Sequence, residues 1–239
     1  MVLTREYVDV PVGERAMRTF VAKPAAPGAY PGVVFYTDIF QLTESSLRWA
    51  VRLAGYGFLV AVPEIYHRVE PAGTVLEFDD PGKVRGQADA DAITTAEFDE
   101  DVAAALDWLS DACPSVGAAG HCTGGHLAFR AAFDPRVRGT ACWYPTGLHD
   151  GKLGKDRSDA LERVADIDGE LLLIFGSRDP HTPPAGRDVV RTRLEGGPTF
   201  RWLEFDAEHA FGRDIGARFD PEATDLAFAE TVSFFRRVL

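Results

Sequence analysis

Cysteine is scarce in this sequence: Cys113, Cys122 and Cys142 are the only three in 239 residues. They are odd in number and widely spaced, with no CxxC pair and no His/Cys spacing of a metal site. That pattern argues against a disulfide framework or a zinc motif and suggests free thiols in a reducing compartment. Long apolar runs are missing too. No stretch approaches the length of a bilayer span, and the opening MVLTREYVDVPVG carries Arg5, Glu6 and Asp9 where a signal peptide would have an apolar core. Positive charge is in short supply, with 25 Lys and Arg against 37 Asp and Glu, a net charge of −12. Such a balance argues against nucleic acid or an anionic membrane as the main partner, while a locally basic pocket for a small anionic substrate stays compatible with it. Repeats, low-complexity tracts and linkers are absent, so the expectation is one soluble, cytoplasmic domain over residues 1–239.

What is present is an apolar content of 46%, enough at this length to bury a core without disulfides or a metal. REYVDVPV and MRTFVAKP alternate on either side of Gly13-Glu14 and predict an opening hairpin. GVVFYT at 32–37 and FLVAV at 58–62 are continuous apolar runs, the mark of strands buried on both faces, and helical spacing runs between them from Leu42 to Tyr56. Strand–helix–strand units of this kind build parallel sheets. Residues 67–93 mix proline, glycine and both charges without a period and read as a long surface loop of the kind that forms lids. Asp89-x-Asp91 within it reads as solvated loop better than as a metal site. Thr94-x-x-Glu97 is a capping box opening a helix through Leu109. Alternation then continues through SVGAAG, GGHLAFRAAF, VRGTACWY, ELLLIFG, a helix over 184–195, TFRWLEF and a last helix ending FFRRVL. The fold class expected is α/β: a mostly parallel, doubly wound sheet with helices on both faces.

Chemistry concentrates at three strand ends. Gly120-x-Cys122-x-Gly124 has the spacing of a nucleophile elbow, where small neighbours permit a strained strand-to-helix turn. The following helix aims its N-terminal N–H groups at that residue, which lowers a thiol pKa and can cradle an oxyanion. Asp179 follows the strand LLLIFG and His209 follows FRWLEF, and ligands of open α/β sheets sit outside such carboxyl ends. Cysteine, acid and histidine therefore occur in α/β-hydrolase order. Other assignments stay open on the residues alone. Cys122 could be a buried structural thiol. His181 could serve as base, and Asp206 or Glu208 could orient His209. His121 and His126 read as structural, Cys113 and Cys142 as small core residues, and His149 has no partner that the sequence names.

The elbow Gly120-His121-Cys122-Thr123-Gly124-Gly125, the loop at Asp179, the run His209-Ala210-Phe211-Gly212-Arg213, YTDIF at 36–40 and PEIYHR at 63–68 together resemble the dienelactone hydrolase family, over nearly the whole chain. The resemblance implies an α/β-hydrolase fold and hydrolysis of a small ester or enol-lactone through an acyl-cysteine, with no metal or other cofactor. Carried onto these positions, Cys122 attacks, His209 is general base and then acid, and Asp179 orients it. The N–H groups of Thr123 and Ile39 form the oxyanion hole. Asp38 stands where the family has a glutamate that meets the resting thiol, one methylene shorter. Arg213 matches the arginine that holds a substrate carboxylate; the alternative is an ion pair with Asp214 or Asp220. Arg68 and Arg85 are candidates for a second carboxylate-binding arginine, and Trp143 and Tyr144 for the pocket wall. Two rival readings remain at this stage: a thioesterase or general carboxylesterase, and a ligand-binding or redox-sensing protein on the same fold.

Overall fold

The alternation around Gly13 forms the expected hairpin, β1 (Leu3–Val12) and β2 (Arg15–Pro24), with Gly13 at φ 58° in its turn. The structure, a computed structural model, describes residues 1–239. Six parallel strands follow: β3 (Gly32–Tyr36), β4 (Leu59–Pro63), β5 (Val116–His121), β6 (Val137–Trp143) and, after the two-residue ribbon strands β7 (Lys152–Leu153) and β8 (Asp156–Arg157), β9 (Glu170–Gly176) and β10 (Phe200–Phe205). The main sheet runs β1-β2-β4-β3-β5-β6-β9-β10, antiparallel at β1, β2 and β4 and parallel from β4 onward. Every residue of β3, β4 and β5 is buried. This is why those strands read as unbroken apolar runs: both their faces are covered.

Two apolar cores lie on opposite sides of the sheet. On one side α1 (Glu44–Ala54) and α6 (Pro221–Val238) contribute Trp49, Leu53, Phe228 and Phe235. On the other, α3 (Thr95–Ala112), α4 (Thr123–Ala131) and α5 (Pro184–Leu194) contribute Phe98, Leu106, Leu127, Phe129 and Val190. The capping box at α3 is present in full, Thr94 Oγ1 accepting from the Glu97 N–H and the Glu97 carboxylate from the Thr94 N–H. The chain passes from β3 to β4 on one side and then returns to β5 on the other, so the strand order reverses at β3/β5. Ligand crevices form at such a switch point, beyond the strands' carboxyl ends.

The reading of residues 67–93 as a loop needs correction, because α2 (Asp80–Ala92) lies within it. Asp79 caps it by accepting from the Gly82 N–H, and Pro81 stands in its first turn. Its buried residues are Gly82, Gly86 and Ala90, spaced by four. A face of small residues gives no apolar periodicity, so a pattern that counts large side chains passes over it. No helix of the protein is long and apolar enough to cross a membrane.

Candidate active site

At the end of β5 the backbone of Cys122 takes φ 58°, ψ −122°, and α4 starts at the next residue. The flanking glycines are there for close approach: a Cβ on Gly120 would lie 1.9 Å from the Gly124 carbonyl oxygen, and one on Gly124 2.2 Å from that of Tyr36. Gln41, Cys122, Tyr144 and Ala210 are the non-glycine residues with positive φ, and all four sit just beyond β3, β5, β6 and β10. Backbone strain is thus concentrated around one crevice.

Cys122 Sγ lies 3.2 Å from His209 Nε2, and His209 Nδ1 donates to Asp179 Oδ2 at 2.6 Å. The three side chains come from loops after β5, β9 and β10. Burial works to lower the His209 pKa, but the adjacent Cys122 sulfur and the bond to Asp179 raise it to about 9. Burial likewise opposes ionisation of Cys122, yet the charge and hydrogen bond of His209 hold the thiol below its ordinary value. Asp179 is also held low: burial is outweighed by its hydrogen bond to His209 and by its acceptance of the His181 N–H. A thiolate beside an imidazolium is the arrangement in which sulfur attacks carbonyl carbon at neutral pH. Thr123 is the first residue of α4, so its N–H has no intrahelical acceptor. Ile39 and Thr123 both border the crevice, a cavity of about 440 Å³ that also reaches Cys122, His209 and Arg213.

His181 packs edge-on against the His209 ring at 4.6 Å, borders the cavity, and reaches Asp179 through its backbone N–H. The Asp206 side chain pairs with Arg178 and that of Glu208 with Arg218, so neither holds His209. His121 is buried among Phe35, Trp49, Trp143 and Tyr144, and His126 is buried on the far side of the elbow. Burial lowers each of these two histidines to about 3.

Several expectations about the pocket wall change. Trp143 and Tyr144 do not line the cavity; both are fully buried beneath it. Trp143 Nε1 donates to Thr231, and Tyr144 packs edge-on against His209 at 5.3 Å. Asp38 does not meet the thiol by a hydrogen bond: it accepts from the Phe40 N–H at 3.0 Å and from Arg213 at 2.5 and 3.1 Å. One methylene fewer keeps this carboxylate against its own loop. Arg213 is therefore neither free nor paired with Asp214, which Arg48 holds, nor with Asp220, which caps α6. Its guanidinium packs on the edge-to-face pair Phe40 and Phe78, 4.9 and 4.5 Å from their ring centres, and it does border the cavity. Arg68 and Arg85 are committed elsewhere, to Asp101 with Glu100 and to Glu70 respectively. The cations that sequence reasoning missed are Lys83, Lys152 and Arg218, with Asp79, Asp80, Asp91 and Asp150 beside them. Asp89 and Asp91, read from the sequence as part of a solvated loop, lie instead in helix α2.

Helix α2 packs directly against the Ile39 peptide. A Cβ on Gly86 would stand 2.4 Å from the Ile39 carbonyl oxygen, and the next residue's carbonyl, Phe40, accepts from the Leu76 N–H at 3.2 Å. Gly86→Ala is expected to push the Ile39 peptide and lower kcat by about a hundredfold, the scale of a misplacement near 1 Å. The rate of Cys122 alkylation by iodoacetamide should stay unchanged, and the two measurements together separate a displaced N–H from a damaged thiol.

The carboxyl-end constellation on a mostly parallel, doubly wound sheet defines an α/β-hydrolase. Residues 17–239 match the family model described as the dienelactone hydrolase family. The chain is 35% identical over 257 residues to a putative carboxymethylenebutenolidase of Saccharomyces cerevisiae, covering 100% of this chain and 93% of that protein. It is 28% identical over 219 residues to a carboxymethylenebutenolidase of Rhodococcus opacus, covering 89% and 83%. The crystal structure of a putative dienelactone hydrolase from Klebsiella pneumoniae superposes with a TM-score of 0.86 at 21% identity, over 99% of this chain and 100% of that one. This chain belongs to the dienelactone hydrolase family and is a carboxylic ester or lactone hydrolase.

Proposed function

We propose that this hydrolase cleaves a small ester or enol-lactone through an acyl-cysteine intermediate. The observation that carries the reading is the continuous contact from Cys122 Sγ to His209 to Asp179 at the mouth of the cavity. The Cys122 thiolate attacks the carbonyl carbon, and the oxyanion that forms accepts hydrogen bonds from the Ile39 and Thr123 N–H groups. Collapse expels the alcohol or enol oxygen, which takes the proton of the His209 imidazolium. Water then gives a proton to neutral His209 and attacks the thioester; the thiolate leaves, and the carboxylic acid departs. Asp179 holds the imidazole in the tautomer that aims Nε2 at sulfur. The same reading takes residues 1–239 as one domain working in the cytoplasm, where a thiol nucleophile stays reduced.

A hydrolysis screen over dienelactone, neutral aryl esters and thioesters, with Cys122→Ala as control, tests this reading and its thioesterase rival. Turnover confined to thioesters would favour the rival. The acyl-side preference is read from Arg213, which we take to be shared between Asp38 and a substrate carboxylate. Arg213→Ala should slow every substrate, because Asp38 loses its partner beside the thiolate. A lactone bearing a carboxylate should lose about tenfold more in kcat/KM than its methyl ester, the scale of a hydrogen bond to a charged group. Equal losses for the matched pair would assign Arg213 to Asp38 alone.

A further inference from the structure

Behind the elbow lies a buried polar chain that this chemistry leaves unused. His126, in α4, has Nδ1 3.0 Å from the Thr146 carbonyl oxygen and Nε2 2.9 Å from Ser158 Oγ. A carbonyl can only accept, so Nδ1 carries the proton and Nε2 accepts from the serine hydroxyl. Ser158 Oγ accepts in turn from Arg130 Nη1 at 3.0 Å and from the Ala160 N–H at 3.3 Å. Arg130 is held by both oxygens of Asp99 at 2.6 Å and by Asp159 at 2.7 Å. Burial, with the Arg130 charge, keeps His126 near 3 against the pull of the Thr146 carbonyl, so the ring stays neutral and its tautomer fixed. Every side-chain polar atom of His126, Ser158 and Arg130 has a partner, and the chain ends at Thr146.

Thr146 holds the elbow residue at two points. Its N–H donates to the Cys122 carbonyl oxygen at 3.2 Å, and its Oγ1 lies 3.8 Å from Cys122 Sγ, facing the cavity. We propose that Thr146 is a second hydrogen-bond donor to the Cys122 thiolate, positioned by the His126–Ser158–Arg130 chain. The inference rests on the Cys122 reading above. Against a neutral thiol a contact of 3.8 Å is weak; once sulfur carries charge the bond is charge-assisted and tightens. Thr146 keeps its proton throughout. It favours thiolate over thiol before attack, and thiolate over thioester when sulfur leaves in deacylation. The other groups around the sulfur are His209 with Asp179 and His181 behind it, Asp38 with Arg213, and the phenols of Tyr66 and Tyr144, which burial keeps protonated. Thr146 does not titrate, so its removal shifts the profile without adding or deleting an ionisation.

The test follows Cys122 alkylation by iodoacetamide and kcat/KM on an aryl ester across pH for wild type, Thr146→Val, Thr146→Ser and Ser158→Ala. In Thr146→Val the acid limb should move to higher pH, with kcat/KM there lower by roughly threefold to tenfold, the net worth of one hydrogen bond. KM should hold and Thr146→Ser should restore the profile. Ser158→Ala touches nothing in the cavity and should move the acid limb in the same direction by less, which keeps the inference testable if valine is not accommodated. Superposable profiles for wild type, Thr146→Val and Ser158→Ala would overturn it. Cys122 alkylated selectively in the wild type with an unmoved midpoint in Thr146→Val removes the Thr146 role alone. Turnover persisting in Cys122→Ala removes the nucleophile reading beneath it.

Discussion

Cys122→Ala should lose about four to six orders of magnitude in kcat while unfolding at a temperature close to that of the wild type. Both halves follow from the elbow. The thiol has no replacement in the cavity, since the other two cysteines lie elsewhere in the fold. Cys113 sits against Gly32 and Leu109 at the opposite end of the strands, and Cys142 points into the core under the sheet. Fold is kept because alanine makes the same demand on the strained backbone and leaves only a small void. Stopped-flow ester hydrolysis with thermal unfolding on the same sample checks both. The pH profile of the wild type carries the matching signature. Protonation of the thiolate should cut kcat/KM on the acid side, at a pH below an ordinary cysteine pKa because His209 holds it down. Loss of the imidazolium proton should cut it again near pH 9. Activity present between those limits and lost beyond both is the expected sign; a single rise that continues through pH 10 would contradict an ion-paired nucleophile.

Asp179→Asn is expected to cost about 10³- to 10⁴-fold in kcat/KM, nearly as much as His209→Ala. Both carboxylate oxygens accept: Oδ2 from His209 Nδ1 at 2.6 Å and Oδ1 from the His181 N–H at 2.7 Å. An amide has one acceptor atom. Either its NH₂ faces the His181 N–H, or it faces His209 and turns the imidazole to the wrong tautomer. The double variant with Cys122→Ala should be no slower than Cys122→Ala alone, because the three groups act as a unit. His181→Ala should be mild by comparison, since that ring packs edge-on against His209 and its bond to Asp179 comes from the backbone N–H, which alanine keeps. Equal damage from His181→Ala and His209→Ala would mean that the base is shared.

The parts of this site that could be read from the sequence are those carried by local chain geometry. Cys122, Asp179 and His209 each lie just past the end of a parallel strand, and the strand ends of an open sheet converge by construction. Whereas β10, at the sheet edge, has no buried residue, the inner strands β3, β4 and β5 were legible because burial on both faces leaves an unbroken apolar run. Helix α2 was not, since Gly82, Gly86 and Ala90 pack by being small. The Asp38–Arg213 pair joins residues 175 apart in the chain, and no local pattern announces it. Nor does one announce Lys83 and Lys152, which meet at the cavity from a helix and a two-residue strand. Trp143 and Tyr144 were misplaced for a related reason. A strand's last residues can turn toward the crevice or into the core, and here the partner residues Thr231 and His209 decide it.

The sheet also governs how this enzyme meets an oxidant. Gly120 and Cys142 are register partners on β5 and β6, so Cys142 is the thiol nearest the elbow along the strands. Its side chain nevertheless enters the core on the face opposite that of Cys122. With Cys113 at the other end of the sheet, Cys122 has no resolving thiol within the chain, and a sulfenic acid formed on it cannot be captured as an internal disulfide. Peroxide should therefore carry Cys122 on to sulfinic acid unless an external thiol intervenes. Recovery from the first oxidation step then rests on thiols supplied from outside the chain, so the protein's working lifetime depends on the thiol buffer around it.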